Sequence, residues 1–384
     1  MPKTIKILGI RGIPAAHGGF ETFAERLALY LVGRGWQVTV YCQEDGEGEI
    51  TEDVWEGVRR IHIPVSRPGP MGTIVFDWKS TFHAAREPGQ VLTLGYNTAS
   101  FGLLYRLRGM RNLINMDGIE WHRQKWSRAA RAWFYLNDWA GCWLGNHLVA
   151  DHPEITNHLA TRVRRNKITM IPYGADRVES ADIGVLAEYG LEAGRYAVVI
   201  ARAEPENSIL EVVRAFSSQP RNVKLVVLGR YTPDSNPYHK TVLAAASAEV
   251  VFAGAIYDPV KVAALRFFAR FYVHGHQVGG TNPSLVEAMG AGSAVLAHDN
   301  RFNRWVAGEG ARYFSDAESC GQQMNVLFAN DQLVEQMSAF SRERHQQAYT
   351  WTEVLNQYET LLERNAGEKR APHPATSVSS VDVA

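Results

Sequence analysis

The sequence predicts an α/β protein of two Rossmann-like domains that face each other across a cleft. Its 384 residues suit two domains of about 150–200 residues each. Short runs rich in β-branched residues alternate with helical stretches, which is typical of a parallel sheet covered by helices. This alternation ends near residues 172–194 and then starts again, so the chain contains two such cycles.

The composition indicates a globular protein without an overall charge that would attract nucleic acid. Apolar residues make up 46% of the chain and charged residues 21%, and 40 basic side chains balance 40 acidic ones. Cys42, Cys142 and Cys320 are an odd number, lie far apart and lack metal-ligand spacing. We therefore expect no nucleic-acid partner, no disulfide framework, no metal site and a reducing compartment.

The apolar run at residues 5–10 has the length of a strand rather than of a signal-peptide core, and Lys6 interrupts it. No segment of the sequence approaches the roughly 18–20 apolar residues that span a bilayer. The expectation is a cytoplasmic protein that is free in solution or lies on the inner face of the plasma membrane.

The first cycle begins with a predicted strand at 5–10, a glycine-rich turn and a helix at 20–32. Further strands are predicted at 37–41, 57–63, 91–94 and 112–116. Gly18 and Gly19 stand at the start of the helix, where backbone amides can approach phosphate groups. A tight strand-to-helix turn without a ligand is the alternative.

The second cycle carries predicted helices at 208–216 and 284–291 and predicted strands at 196–200, 223–228, 249–252, 271–273 and 294–297. Two long helices follow, at 317–330 and 331–364, with a break expected near 349–352. The predicted domains are therefore an acceptor-binding domain at 1–175, a donor-binding domain at 176–348, a helix at 349–366 that packs back on the first domain, and a disordered tail at 367–384. A ligand is expected at the carboxyl ends of the strands, in the cleft.

The loop at 276–289 lies between a predicted strand and a predicted helix. Gly279 and Gly280 permit close backbone approach, Asn282 can cap the helix, and the free amides at its start favour a pyrophosphate. Glu287 lies one turn further in, where a carboxylate can bind ribose hydroxyls. The alternative is a well-capped helix with a first-turn glutamate.

Arg202 follows the predicted strand at 196–200 after one residue, Ala201, and is expected to point into the cleft. A guanidinium there can pair bidentately with a phosphate. A surface salt bridge is the alternative for an isolated arginine.

These segments resemble a known family. Arg202 with Glu206-Asn207, Gly229 and the 280–287 segment resemble the donor domain of retaining glycosyltransferases of family 4, which have the two-domain GT-B fold. The stretches 18–21, 149–152 and 168–176 resemble the family's first domain and interdomain segment. The runs 115–121 and 279–284 are most similar to a bacterial subgroup of rhamnosyltransferases, and the likeness covers about residues 4–365.

The resemblance implies transfer of a sugar, L-rhamnose from dTDP-rhamnose in the first place, to a glycan or lipid-linked saccharide in bacterial surface polysaccharide synthesis. It implies neither a metal nor a cofactor. The donor-binding residues that it implies are Gly18, Gly19, Arg202, Asn207, Gly229, His276, Gly280, Thr281, Asn282 and Glu287. The chain departs from the family's pattern at three positions: Gly279 replaces a sugar-binding glutamate, Asn207 replaces a phosphate-binding lysine, and Trp305 replaces a further glutamate.

Asp117 is the candidate catalytic residue, because it closes the predicted strand at 112–116 where many family members have a histidine on the acceptor side. A carboxylate there can orient or deprotonate the attacking hydroxyl. The alternative is an N-cap for the next helix. Glu21, Glu120 and Trp121 are the acceptor-binding candidates, and Glu21 can equally be a carboxylate that compensates a helix dipole.

The stretch 105–131 contains seven basic residues, only two acids, and tryptophans that include Trp121 and Trp126. This composition suits an anionic membrane surface or a lipid diphosphate acceptor. Tryptophans in the core with arginines outside are the alternative.

Three other functions are compatible with an α/β protein of this size. A nicotinamide-dependent oxidoreductase is disfavoured because the first turn lacks Gly-x-Gly-x-x-Gly spacing. A nucleotide-sugar 2-epimerase on the same fold, or a non-catalytic nucleotide-sugar-binding protein, are the alternatives to a transferase.

Overall fold

The computed structural model describes residues 3–366 apart from 17, 68 and 124; the tail predicted at 367–384 lies outside the described residues. The predicted α/β class is confirmed, with two separate sheets and helices packed on them. The strands are β1 (Thr4–Leu8), β2 (Gln37–Asp45), β3 (Thr51–Trp55), β4 (Val58–Val65), β5 (Gln90–Leu94), β6 (Arg111–Asn115), β7 (His147–Ala150), β8 (Ile168–Met170), β9 (Tyr196–Ile200), β10 (Lys224–Leu228), β11 (Val250–Gly254), β12 (Phe271–His274), β13 (Val295–His298) and β14 (Arg312–Phe314). The α-helices are α1 (Gly19–Gly33), α2 (Gly69–Ala84), α3 (Leu103–Leu107), α4 (Arg128–Leu144), α5 (Pro153–Ala160), α6 (Ile209–Ser217), α7 (Pro237–Ala244), α8 (Pro259–Phe267), α9 (Pro283–Gly290), α10 (Arg301–Ala307), α11 (Ala317–Ala329), α12 (Asp331–Ala348) and α13 (Trp351–Ala366).

The first sheet has the strand order β3-β4-β2-β1-β5-β6-β7-β8. Its strands run parallel except β3, which pairs antiparallel with β4. The turn between them is Glu56-Gly57, with φ of 47° and 80°, the left-handed geometry that two-residue hairpins favour. This antiparallel edge strand was not predicted, because β3 is polar and almost wholly exposed and has no apolar alternation to reveal it.

The second sheet has the order β11-β10-β9-β12-β13-β14, and its strands run parallel. The central strands β9, β10 and β12 are apolar and almost completely buried, which is why the sequence predicted them within a residue or two. The short edge strand β14, of three residues, was not predicted.

The last two helices pack against different sheets. Helix α12 lies against α9 in the second half, and after the predicted break α13 lies against the first sheet. There the ring of Tyr358 is 4.6 Å from that of Phe23, and its hydroxyl accepts a 2.8 Å hydrogen bond from the Asn115 side chain. The domain boundaries given above stay a prediction.

The carboxyl ends of the two sheets face each other. A Cβ atom on Gly118, just after β6, would lie 3.9 Å from the Cα of Gly279, which follows β12. The cleft predicted between the two halves is therefore bounded by loops at the carboxyl ends of their strands, where α/β proteins bind ligands. Within the described residues, no helix is both long and apolar enough to cross a membrane.

Candidate functional site

Two helix N-termini meet across the cleft. Gly18 precedes α1 with φ of 102°, and a Cβ atom on Gly19 would lie 3.0 Å from Cγ of Pro283, the first residue of α9. Since Gly18 offers no side-chain cap, the first amides of α1 stay available to a ligand. The Glu21 carboxylate turns back onto this loop, where it accepts a 3.2 Å hydrogen bond from the backbone N–H of Arg11.

The loop before α9 has the predicted cap. The side chain of Asn282 accepts a 3.0 Å hydrogen bond from the N–H of Ser284. The N–H groups of Gly279 and Gly280 donate to none of the described residues. Unpaired amides at the positive end of a helix are a favourable place for an anion.

Arg202 follows β9 and is exposed on the cleft side of the second half. Its guanidinium forms no hydrogen bond or ion pair with any residue that the structure describes, so the salt-bridge alternative is not found there. Its backbone carbonyl accepts a 2.9 Å hydrogen bond from the side chain of Asn207, which is buried. Among the residues that the structure describes, Arg202 is thus a cation without a partner, and Asn207 shapes its loop.

His276 is a neutral imidazole at the floor of the site. Burial, together with the nearby charges of Arg202 and Arg123, lowers its pKa to about 3. Its ring stacks on that of the fully buried His274, with centroids 4.3 Å apart and planes 10° apart. Nδ1 of His276 is buried and has no hydrogen-bond partner among the described residues. One ring nitrogen is therefore free to bond to a ligand.

The remaining donor candidates have partners inside the protein. Oε2 of Glu287 forms an ion pair with Nη2 of Arg266 at 2.6 Å. The Glu287 side chain is still 36% exposed, so part of the carboxylate can reach a ligand. Gly229 lies after β10, where a Cβ atom would come within 2.7 Å of the carbonyl oxygen of Ala201. Its place in the structure is explained by close packing against the end of β9.

Asp117 follows β6 with φ of 52° and donates its N–H to the Asn115 side chain at 3.0 Å. Burial raises the pKa of its carboxyl, and the negative charge of Glu120 adds to the effect. The helix-cap alternative is wrong, because the next helical turn, Glu120–His122, begins after Ile119 and has no side-chain cap. A strained, desolvated carboxyl at a strand end is a frequent feature of active sites.

Asp151 is the functional candidate that the sequence did not reveal. It follows β7, the neighbour of β6, and its Oδ2 accepts a 2.9 Å hydrogen bond from the N–H of Thr281 across the cleft. The Thr281 hydroxyl also donates to the carbonyl of Asp151. Burial and the charge of Asp117 raise the pKa of Asp151, and its Oδ1 is buried without a partner among the described residues.

Gly280 is required by this contact, because a Cβ atom there would overlap the carboxylate of Asp151. The sequence showed the stretch 149–152 only as a likeness. Nothing in its local pattern indicated that Asp151 meets a residue 130 positions away.

Glu120 and Trp121, the other acceptor candidates, bond to neighbouring side chains. Glu120 accepts hydrogen bonds from Arg123 at 2.7 Å and from the indole N–H of Trp126 at 3.0 Å. The indole N–H of Trp121 donates to the buried Asp138 at 2.8 Å. Both residues therefore shape the loop after β6. A contact with an acceptor would have to use side-chain atoms that are not in these hydrogen bonds.

Arg123 connects the two halves over this loop. Its Nε donates to Glu206, after β9, at 2.8 Å, and Nη2 donates to the same oxygen. The two carboxylates of Glu206 and Glu120 raise the pKa of the guanidinium. The described residues contain no group of three or more His, Cys, Asp or Glu side chains placed to hold a metal ion.

Comparisons with known proteins agree with the fold. A family described as a domain of unknown function, DUF1972, matches residues 2–176, less than half of the chain. A search of curated proteins gives no match. Among solved structures, sucrose-phosphate synthase from Thermosynechococcus elongatus is similar with a TM-score of 0.78 and 17% identity, over 95% of this chain and 99% of that one.

Two further structures are similar over the same extent. HepE of Anabaena, in complex with UDP and glucose, has a TM-score of 0.74 and 13% identity, over 94% of this chain and 100% of that one. The UDP-forming α,α-trehalose-phosphate synthase of Burkholderia xenovorans, in complex with glucose-6-phosphate, has a TM-score of 0.69 and 12% identity, with coverage of 94% and 100%. At these identities the likeness shows the fold, and the predicted GT-B arrangement is confirmed.

Proposed function

We propose that this protein is a glycosyltransferase that moves a sugar from a nucleoside diphosphate to a saccharide acceptor with retention of configuration. One observation carries the proposal. The start of α1 at Gly19 meets the start of α9 at Pro283, and the guanidinium of Arg202, which has no partner among the described residues, lies near enough to His276 in the loop before α9 to affect its pKa. Free amides and a free cation together make a site for a diphosphate.

The structural neighbours support the same class of substrate. HepE is in complex with UDP and glucose, and the Burkholderia protein is named as a UDP-forming synthase. A shared fold by itself does not fix an activity. In this chain the glycines at the two helix starts, Arg202 and the carboxyl groups of the cleft support the activity.

The proposed roles follow from the charges. As the sugar–phosphate bond breaks, negative charge develops on the leaving diphosphate, and Arg202 with the Gly279 and Gly280 amides stabilises it. The neutral His276 supplies a hydrogen bond without a competing charge. On the acceptor side, Asp117 orients the attacking hydroxyl and favours loss of its proton. Asp151, hydrogen-bonded to Thr281, lies beside it.

The proposed donor is dTDP-L-rhamnose. Gly279 leaves out a carboxylate that would require a hydroxyl partner on the sugar, and an unpaired buried carboxylate would cost several kcal/mol. This permits a 6-deoxy sugar, while the choice of rhamnose comes from the likeness of 115–121 and 279–284 to rhamnosyltransferases. The proposed acceptor is a lipid-linked saccharide of bacterial surface polysaccharide synthesis, reached at the cytoplasmic face of a membrane.

The test has two parts. Calorimetry with UDP, dTDP and GDP and their sugars measures binding, and product analysis with and without a lipid-linked saccharide measures transfer. We expect dTDP to bind and rhamnose to appear on the acceptor. A changed sugar nucleotide in the absence of acceptor would establish an epimerase instead, and binding without any product would establish a non-catalytic protein. Turnover of UDP-glucose but not dTDP-rhamnose would overturn the choice of sugar alone.

A further inference from the structure

One face of the first half exposes an unusual number of large apolar side chains. Helix α2 presents Trp78 and Phe82, exposed by 49% and 43%, and α3 presents Leu107, exposed by 75%. Helix α4 presents Leu136 and Trp143, exposed by 65% and 61%. Exposed apolar groups of this size that occur together mark an interaction site.

These helices form one continuous surface. The short 3-10 helix Ala99–Gly102 lies between them and packs against α2, α3 and α4. The Trp78 ring stacks on Phe82 at 6.3 Å and meets the edge of Phe101 at 5.2 Å. Arg106 of α3 donates to the carbonyl of Trp143 of α4 at 3.2 Å, which joins the two ends. We call this the aromatic face, made of residues 69–84, 97–111 and 128–144.

The exposed ionised groups of the aromatic face are all positive. Its two acids, Asp77 and Asp138, are buried and hold the Thr98 hydroxyl and the Trp121 indole at 2.8 Å each. The exposed basic residues are Lys79, Arg106, Arg108, Arg111, Arg128 and Arg131. The aromatic face therefore combines exposed apolar side chains with cationic ones and has no exposed carboxylate.

This face differs from the one expected from the sequence. Trp121 and Trp126 donate their indole N–H groups to carboxylates and do not belong to it, whereas Trp78, Phe82 and Trp143 lie outside the stretch 105–131 that suggested a membrane contact. The apolar periodicity of these helices is misleading, because α2 carries aromatic residues on its buried and its exposed sides, and α4 buries Asn137 and Asp138 while it exposes Leu136 and Trp143.

We propose that the aromatic face binds the surface of an anionic lipid bilayer. Aromatic and leucine side chains insert at the headgroup boundary, and the arginines and Lys79 lie against the lipid phosphates. A second copy of this chain fits less well, because a two-fold contact would bring the same arginines together without a carboxylate to pair them. The aromatic face runs from the loop after β5 and the start of α4, on the cleft side of the first sheet, to Leu107 and Trp143, which lie towards the opposite edge because they precede β6 and β7.

The inference deepens the proposed function, and its link to a lipid-linked acceptor rests on that function. Vesicle binding itself is measured without turnover, so the two can fail separately. The experiment is flotation of the full chain with phosphatidylcholine vesicles, with or without phosphatidylglycerol. We expect flotation only with phosphatidylglycerol, and less of it as salt is raised, because salt screens the attraction.

Single variants locate the contact. Leu107→Ser and Trp143→Ser should each weaken vesicle binding about fivefold or more, since each removes an inserted apolar side chain. Arg108→Gln should weaken it about fivefold, which corresponds to about 1 kcal/mol for one basic residue. The matched control is Val260→Ser on α8, where Val260 is 63% exposed in the second half. It should leave vesicle binding unchanged.

Three results would overturn the proposal. In the first, the protein floats with neither kind of vesicle, and in the second, Val260→Ser weakens vesicle binding as much as Leu107→Ser does. The third result is a dimer that Leu107→Ser dissociates, in a protein that does not bind vesicles. The last would identify a second copy as the partner. Circular dichroism and nucleoside diphosphate affinity, measured on the same variants, confirm that the fold and the cleft are intact.

Discussion

Oδ2 of Asp151 accepts a 2.9 Å hydrogen bond from the backbone N–H of Thr281, so a carboxylate of the first half occupies an amide at the start of α9. This is the helix end at which the donor diphosphate is proposed to bind. The carboxyl of Asp151 and the phosphates therefore compete for the same positive end of a helix. Protonation of Asp151 removes the negative charge of its carboxylate, and the phosphates then bind this helix end without a competing anion.

Asp151→Asn is expected to tighten nucleoside diphosphate binding about three- to tenfold at about pH 8, because it removes a nearby negative charge. The amide oxygen keeps an acceptor for Thr281. Burial and the charge of Asp117 raise the pKa of Asp151, so the wild-type carboxyl takes up a proton as the pH falls from about 8 to about 5.5. The difference between the two proteins should then shrink.

Calorimetry at both pH values measures this. The ratio of the two affinities is the relevant quantity, because the diphosphate itself titrates in this range and affects both proteins equally. A ratio that does not change with pH would show that Asp151 carries no titrating charge near the ligand.

Asp117→Asn tests the acceptor side. If the ionised carboxylate orients the hydroxyl, kcat/KM of the wild type rises with pH through the raised pKa of Asp117 and levels off above it. The variant should lose about 10²- to 10⁴-fold in kcat and lose this rising limb, while its affinity for the nucleotide changes little. Asp45→Asn is the control, because Asp45 is exposed and its side chain bonds to none of the described residues. If Asp117→Asn keeps the wild-type kcat and the rise of kcat/KM with pH, Asp117 does not take part in the reaction.

Arg202→Ala should weaken nucleoside diphosphate binding about ten- to hundredfold, the loss of about 1.5–3 kcal/mol of charged hydrogen bonding. Folding should survive, because the guanidinium bonds to none of the described residues. Arg214→Ala is the matched control, since Arg214 is exposed on α6. Equal affinities of wild type and Arg202→Ala, measured by calorimetry, would show that the phosphates bind elsewhere.

The features that the sequence predicted share a local cause. The buried strands of both sheets were predicted because continuous apolar runs such as β9 are visible within five residues. Gly18 and Gly279 stood out because glycines between a strand and a helix are a local pattern. In contrast, β3 was missed because an exposed strand has no apolar signal, and its pairing depends on β4.

The features that were missed depend on contacts between distant parts of the chain. Asp151 has no local signature, and its importance comes from Thr281 in the other half. The composition around Trp126 left a membrane surface and a core position open, and its hydrogen bond to Glu120 was not visible in the sequence. Side-chain orientation on such a loop is decided by partners that a period or a charge count does not identify.

Activity is expected to be independent of added metal. The phosphate charge is met by Arg202 and helix amides in the proposed site, so no divalent ion is required to neutralise it. The measurement is transfer of sugar after dialysis against EDTA, compared with the same protein resupplied with magnesium or manganese. Loss of activity in EDTA that magnesium restores would contradict the proposed site.

Gly279→Glu examines the choice of sugar. Nothing lies within 4 Å of a Cβ atom built on Gly279, so a larger side chain has room in the cleft, but φ of 138° disfavours any residue other than glycine. Gly279→Ala is therefore the matched control, since it carries the same backbone strain without a carboxylate. Relative to the alanine variant, the glutamate should weaken binding of dTDP-rhamnose more than binding of dTDP, because the added carboxylate lacks a matching hydroxyl on the 6-deoxy sugar. Equal losses for the sugar nucleotide and the bare nucleotide would mean that position 279 does not contact the sugar, and Gly279 would then give no support to rhamnose.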